Sequence, residues 1–436
     1  MVREKSQSVA EKMDKIVADL RMQNFQDSLS TVDFLANNDS LLFYARFVTE
    51  SPVRIHLPDN DLNFFNSLFD KLENCQEKKE VVHILHYGDS QIEGDRITGF
   101  IRQQLQEKFG GNGPGLLPAV QAIPSSAVGQ TASENMVRFT IAGNLANKAS
   151  HNRYGVMGQV TEVYEAGSMA ITARNFKNTY QNVKEFSKIR LFTGRNTPGF
   201  QATLLHAKES IVRTIQAENT RVNVLTWNLK TPIKQFSLQF SGTAEIIGIA
   251  VDGEYGVAVD NIPLRGSSGT FFSQIDANSI APVMKELNTQ LILLEFGGNM
   301  MPSIKGEKNI ADYKNIMSKQ IKYLQNIYPV AKIILIGPAD MSVKVNGRLQ
   351  SIPLLEETIQ GLKEAALENG AAFWDMYEVM GGKNSMIEWV NNKPALAAPD
   401  YIHFTPRGAE KIAEMFYMSL MNYYDFAVLR HNLNIE

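Results

Sequence analysis

Val81-Val82-His83-Ile84-Leu85-His86-Tyr87 is a short apolar run, and Gly88-Asp89-Ser90 breaks it at once. From 92 to 109 apolar positions recur at helical spacing until Gly110-Gly111 ends them. Strand, tight turn and helix in that order are half of a βαβ unit. The alternation returns late in the chain. Residues 291–296, 332–336 and 372–374 read as strands, and 311–327, 354–367 and 406–420 as helices. Strands separated by helices of this length predict a parallel sheet covered on both faces.

Residues 125 to 254 break that rhythm. They offer short β-rich runs at 136–141, 159–164, 170–173, 189–192, 201–205, 211–215, 221–225, 236–240 and 245–251, divided by Gly, Asn, Thr and Pro clusters. Near-regular spacing of this kind predicts an antiparallel β-sandwich. Ahead of residue 76 the chain reads as helical. Met13, Ile16, Val17 and Leu20 share one helix face, 62–72 repeats the pattern more strongly, and Ser51-Pro52 and Leu57-Pro58 break it. The expected organisation is an N-terminal helical segment (1–75), the first part of an α/β domain (76–124), an inserted β-sandwich (125–254) and the rest of the α/β domain (255–436).

Composition narrows the function classes. A chain of 436 residues with 44% hydrophobic and 20% charged residues has ample material for more than one globular core. The net charge of −3, with no basic stripe interleaved with aromatics, argues against a nucleic-acid partner. The apolar runs fall short of the roughly 20 residues of a membrane helix. Cys75 is the only cysteine, so no intrachain disulfide and no thiolate zinc site is expected, and it reads as a bland free thiol. No His, Asp or Glu cluster has metal-ligand spacing, so neither metal nor cofactor is expected. The start of the chain is polar, without the apolar core of a secretory signal, which fits a cytoplasmic protein or one whose export signal is not in this sequence.

Three polar constellations remain. Ser90 follows a strand on a sharp turn, where open α/β sheets place ligands, with a helix behind it to favour developing negative charge. Taken alone, Gly-Asp-Ser is also ordinary turn chemistry. Asp400-Tyr401-Ile402-His403 stands just before Thr405-Pro406, an N-cap followed by proline at the first helical position. A carboxylate three residues before an imidazole can hold the ring tautomer while its other nitrogen serves as base for a serine, though it can equally be a polar loop. Gly297-Gly298-Asn299 follows the strand at 291–296. Asn299 there is either a left-handed turn residue or an oxyanion donor worth roughly 2.7–4 kcal/mol of transition-state stabilisation.

Together and in this order, Gly88-Asp89-Ser90, Gly297-Gly298-Asn299 and Asp400 to His403 resemble the blocks of the SGNH (GDSL-like) hydrolases. The resemblance implies a flavodoxin-like three-layer α/β/α hydrolase domain. Ser90, Asp400 and His403 would be the catalytic residues, and Ser90, Gly266 and Asn299 the oxyanion hole; Gly269 is the alternative to Gly266. Gly88 to Thr98, then Gly110-Gly111-Asn112-Gly113-Pro114-Gly115, is similar to bacterial peptidoglycan O-acetylesterases, which carry a β-sandwich resembling a carbohydrate-binding module (jelly-roll-like) where 125–254 stands here. That likeness implies an O-acylated glycan as partner, peptidoglycan or another polysaccharide. It also implies a periplasmic or cell-envelope location. Gln91 after the serine and Met300 after Asn299 depart from the commoner family pattern and leave substrate choice open. An acyltransferase on the same site and a non-catalytic glycan-binding envelope protein are the alternatives.

His83 and His86 are expected to be packed or hydrogen-bonded rather than catalytic. Asp95 is expected to complement a helix dipole, Asp375 to make a turn or line the rim, and Trp227 to pack in a core.

Overall fold

The computed structural model describes residues 34–176, 179–217 and 221–435. The helix expected over 11–20 lies outside them. The strands are β1 (Ile55–His56), β2 (Val81–Gly88), β3 (Gly115–Leu117), β4 (Val128–Ala132), β5 (Met136–Thr140), β6 (Gln159–Val163) and β7 (Ala166–Ala173). There follow β8 (Phe186–Asn196), β9 (Phe200–His206), β10 (Glu209–Ile215), β11 (Asn223–Ile233), β12 (Gln235–Ser241), β13 (Ala244–Asp252) and β14 (Gly256–Pro263). The last are β15 (Thr289–Glu295), β16 (Lys332–Ile336), β17 (Ser342–Val345), β18 (Arg348–Ser351) and β19 (Ala372–Trp374). The chain is a mixed α/β protein and divides into two compact units, one of Asp70–Leu294 with Lys319–Ile333, the other of the stretch up to Phe69, Glu295–Ser318 and Ile334–Glu436.

In the first unit β2 is buried along its whole length, with no alternation. That is the signature of a strand covered on both faces. Its neighbours are β14 and β15, and β14 runs parallel to it, from Val81 opposite Gly256 to Gly88 opposite Pro263. Helix Thr98–Phe109 packs on β14 and buries Ile101, Leu105 and Phe109.

The same unit holds two antiparallel sheets, ordered β10-β9-β12-β7-β4 and β11-β8-β13-β6-β5, with β3 added on β13. In β12, Phe236, Leu238 and Phe240 are buried while Gln235, Gln239 and Ser241 are exposed, the alternation of a sheet wet on one face. Inward residues of both sheets, among them Ile171, Leu204, Leu191 and Trp227, form one apolar cluster. Trp227 is a core residue, as expected, and its indole N–H donates to the Ile211 carbonyl at 3.0 Å. The run read at 221–225 is the start of the longer β11, whose pairing with β8 is interrupted between Asn228 and Ile233. Pro232 sits in that gap, where its missing N–H costs no ladder bond.

In the second unit β19 pairs in parallel with β16 and antiparallel with β1. The closing helix is Pro406–Asn432, longer than the expected 406–420. The added turns bury Tyr423, which meets Phe47 edge-on (6.0 Å), and Phe426, which stacks on Tyr44 (5.8 Å), both of helix Phe34–Glu50. That partner is far away in sequence, so local periodicity understates the helix. Trp374 and Tyr423 fasten β1's approach by donating to the carbonyls of Val53 (3.0 Å) and Ile55 (2.5 Å).

Candidate active site

Ser90 stands directly beyond β2. The Asp89 carboxylate accepts from the Gln91 N–H at 2.9 Å, an Asx turn that bends the chain sharply after the strand. Gly88 packs closely here: a Cβ would meet Ile92 side-chain atoms at 3.0 Å, and that side chain would have to shift. The expectation that a helix opens right behind Ser90 is corrected: a short 3₁₀ turn, Glu93–Asp95, intervenes, and the helix starts only at Thr98. Gly94 (φ 70°) and Asp95 (φ 69°) are left-handed and stop an α-helix from starting earlier. Asp95 therefore does not complement a dipole. Both its oxygens are taken by Arg102, at 2.6 and 2.9 Å, in a buried bidentate pair.

The loop that carries Gly266 lies in the same unit. Leu264 N–H donates to the Gly88 carbonyl at 2.8 Å. Glu93 accepts two bonds from Arg265, Nε to Oε1 at 2.6 Å and Nη2 to Oε2 at 2.5 Å. The turn after Ser90 and the residue before Gly266 are thus bound to each other. Neither Glu93 nor Arg265 was anticipated; they lie 172 residues apart and no local pattern joins them. Gly266 is exposed at φ 74°, and its N–H has no partner among the described residues. Gly269 is buried and its N–H donates to Ser267 Oγ at 3.2 Å, so of the two glycines Gly266 has the uncommitted donor.

The second unit holds Asn299, Asp400 and His403. Gly297 has φ 133°, and a Cβ there would lie 2.8 Å from Pro338 Cδ, so this turn requires glycine. Asn299 is exposed in the 3₁₀ turn Gly298–Ser303 that follows. Asp400 and His403 are brought together. Asp400 Oδ2 accepts from the Nδ1–H of His403 at 2.8 Å, while Oδ1 accepts from the N–H groups of Ile402 (2.9 Å) and His403 (3.0 Å). Partial burial opposes the Asp400 charge, but the His403 amide, its ring and the Ile402 amide outweigh it and hold the carboxyl below its ordinary range. With Nδ1 engaged, Nε2 is the basic nitrogen of the neutral ring. Tyr401, between them, is left-handed at φ 60°, and its carbonyl accepts from the Ser342 N–H at 3.0 Å. Thr405 caps the following helix as expected, accepting from Gly408 N–H at 3.2 Å.

His83 and His86 are fully buried within β2 and hydrogen-bonded, as expected. His86 Nδ1 lies 3.0 Å from Thr98 Oγ1. His83 Nδ1 is 2.8 Å from Asp260, and its Nε2 lies 3.5 Å from Asp252, itself paired to Arg190 at 2.8 Å. Burial alone would discharge the imidazole; Asp260 and Asp252 reverse that and raise it to about 9, although the Arg190 guanidinium stands 2.8 Å from Nε2. Asp375 makes a turn, capping helix Met376–Val379 by accepting from Glu378 N–H at 3.0 Å. Cys75 is buried with a thiol raised by that burial. Among the described residues no group of three or more His, Cys, Asp or Glu is placed to hold a metal ion, and no helix is long and apolar enough to cross a membrane.

Comparison with protein-family models finds no match, and comparison with curated proteins finds none. Among solved structures, a family two carbohydrate esterase from Cellvibrio japonicus covers 69% of this chain and 99% of its own at 10% identity, with a TM-score of 0.26. A carbohydrate acetylesterase from Sinorhizobium meliloti covers 38% of this chain and 78% of its own at 12% identity, with a TM-score of 0.27. Scores that low carry no argument. A peptidoglycan O-acetylesterase aligns over 84% of this chain and 96% of its own, at 22% identity and a TM-score of 0.68. Over most of its length, then, this chain has the fold of that esterase.

Proposed function

We propose that this protein is a serine esterase of the SGNH kind that removes short acyl groups, O-acetyl above all, from an envelope glycan such as peptidoglycan. The observation that carries the reading is the Asp400–His403 pair, in which one carboxylate holds both the ring and the backbone of its own turn. Ser90 at the end of a buried strand and the fold shared with a peptidoglycan O-acetylesterase support it.

In this reading His403 Nε2 takes the Ser90 proton as Oγ attacks the ester carbonyl. Asp400 fixes the tautomer and stabilises the imidazolium. The oxyanion is met by the N–H groups of Ser90 and Gly266 and the Asn299 amide. The imidazolium returns its proton to the departing sugar hydroxyl, leaving the acyl group on Ser90. Water, deprotonated by the same base, then releases the carboxylic acid and restores the serine. The domain plan that goes with this is a three-layer α/β/α hydrolase domain over 76–124 and 255–436, interrupted by a β-sandwich over 125–254 and preceded by the helical segment 1–75. Such an enzyme would work in the bacterial periplasm or cell envelope.

The test is acetate release from O-acetylated peptidoglycan and from acetylated xylan by the wild-type chain and by Ser90→Ala. Release from peptidoglycan that vanishes in the variant is the expected result. Activity on a small activated acetyl ester alone would keep the serine and discard the glycan. Loss of hydrolysis in favour of transfer to an added sugar acceptor would make the protein an acyltransferase. No turnover of any ester would leave a glycan-binding protein.

A further inference from the structure

Within the first unit, beside the turn that follows Ser90, the structure holds a cavity of about 60 Å³ lined by Gly94, Leu116, Pro124, Arg138, Gln159 and Asn261, among others. A space that size takes a few waters, or the handful of heavy atoms of a small polar group. Its lip is exposed at Ala122 and Pro124.

The polar inventory of the lining is lopsided. Arg138, half-buried on β5, spends only its Nε, which donates to Gln159 Oε1 at 2.6 Å. It makes no ion pair among the described residues, and burial presses its guanidinium toward the neutral form with no acid to oppose that. Arg102 and Asp95 also face the cavity, but they neutralise one another. Asn261 accepts from the Thr98 hydroxyl through Oδ1 at 2.9 Å, and its Nδ2 has no partner among the described residues. Ser125 accepts from the Ala127 N–H at 3.0 Å and keeps its hydroxyl proton to give. The wall therefore offers unspent donors and one uncompensated positive charge. A guanidinium taken partly out of water without an anion is costly, and a planar fork of N–H groups matches a carboxylate in two places at once.

We infer that this cavity is a carboxylate-binding subsite, with Arg138 supplying the charge and the Asn261 amide a second donor. Binding stands on the cavity alone. That the carboxylate belongs to the ester substrate rests on the reading of Ser90 given above. Two sources offer it: the peptide stem of a muropeptide, or a uronic acid in another acidic glycan.

The experiment is calorimetric binding to the full chain, using de-O-acetylated ligands so that turnover plays no part. The ligands are a muramoyl peptide, a glucuronic-acid oligosaccharide, and each of the two with its carboxyl groups amidated. The wild-type chain should hold at least one acid tenfold or more tighter than an uncharged counterpart. Arg138→Gln should erase that preference and Arg138→Lys restore part of it, since lysine keeps the charge but not the fork. Which acid binds names the source. Equal binding of acid and amide by the wild-type chain in both pairs, a comparison that needs no variant to fold, overturns the inference, as does an intact preference in Arg138→Gln. A chain that binds the acid but hydrolyses no ester would sink the esterase and spare the subsite.

Discussion

Arg265 and Glu93 form a fork-to-fork ion pair, 2.6 and 2.5 Å, between the residue next to Gly266 and the turn that follows Ser90. Glu93 is nearly buried while Arg265 is 69% exposed, so the pair's worth to overall stability is modest, and its geometric effect matters more. Bidentate pairs of this kind fix orientation as well as distance.

Loss of either partner should therefore show in catalysis before it shows in stability. Glu93→Gln and Arg265→Ala are each expected to lower kcat on a small acetyl ester by about tenfold, and the double variant by little more than either alone. A double-mutant cycle measures this. Fully multiplicative losses would mean that the pair does not align the two turns.

Asp400→Asn should leave the turn folded, since the amide oxygen can still accept from the two backbone N–H groups. It should nonetheless reduce kcat by roughly 10²- to 10⁴-fold, because the ring loses the partner that fixes its tautomer. Because the Asp400 carboxyl is held below its ordinary range, it stays ionised through mildly acidic pH. The acid limb of the wild-type pH–rate profile should then not report Asp400. Steady-state kinetics across pH 4 to 8 on both chains checks the point.

The buried His83–Asp252–Asp260–Arg190 cluster should set a pH window for stability. His83 is raised to about 9 in the folded chain, above its ordinary value. Its contribution is complete below the unfolded value and disappears as pH climbs through about 9. Asp252 runs the other way. Burial works against its charge, but His83 and Arg190 prevail and lower it to about 2, so its contribution is present above its ordinary range and fades as pH falls toward 2. Urea unfolding should show a neutral plateau that declines on both sides. His83→Leu, which takes from the buried Asp260 its imidazole partner and leaves Asp252 only Arg190, should cost about 3–5 kcal/mol and remove the alkaline decline.

Glycine at 297 and glycine at 266 should respond differently to a methyl group. At 297 a Cβ strikes Pro338 at φ 133°, and Gly297→Ala is expected to destabilise the chain by about 2–3 kcal/mol. At 266 the Cβ meets nothing within 4 Å, so Gly266→Ala should cost only about 1–2 kcal/mol of left-handed strain. Denaturant midpoints for the two variants give the comparison.

What could be read in advance follows a physical divide. β2 was legible because a strand buried on both faces is apolar throughout, and β16 and β19 because helices bracket them. Thr405-Pro406 announced its helix through cap chemistry that is wholly local. β3 and β4 were not legible. Val128-Gly129-Gln130-Thr131-Ala132 has little apolar content, and it is a strand because β7 pairs with it. Helix Ala277–Glu286, capped by Asp276, carries Pro282 inside it, which masks its periodicity. At the site, Asp400 and His403 lie three residues apart and could be paired from sequence. Arg265, Glu93, Arg138 and Asn261 could not, because their relationships depend on which strands become neighbours.

The tie between β1 and β19 has a consequence for how the chain is made. Ile55 finds its pairing partner in Trp374, and helix Phe34–Glu50 finds its aromatic partners in Pro406–Asn432, the last helix described. A ribosome delivers Phe34–Glu50 long before Pro406–Asn432. The other unit, almost all of it drawn from residues that lie between them, can begin to order while synthesis continues, whereas Tyr44 and Phe47 stay without their final neighbours until Pro406–Asn432 has emerged. Long-range closure of this sort is slow and leaves apolar surface waiting. Nascent chains stalled ahead of residue 406 should therefore be captured by chaperones through Phe34–Glu50, and released once Pro406–Asn432 has been made.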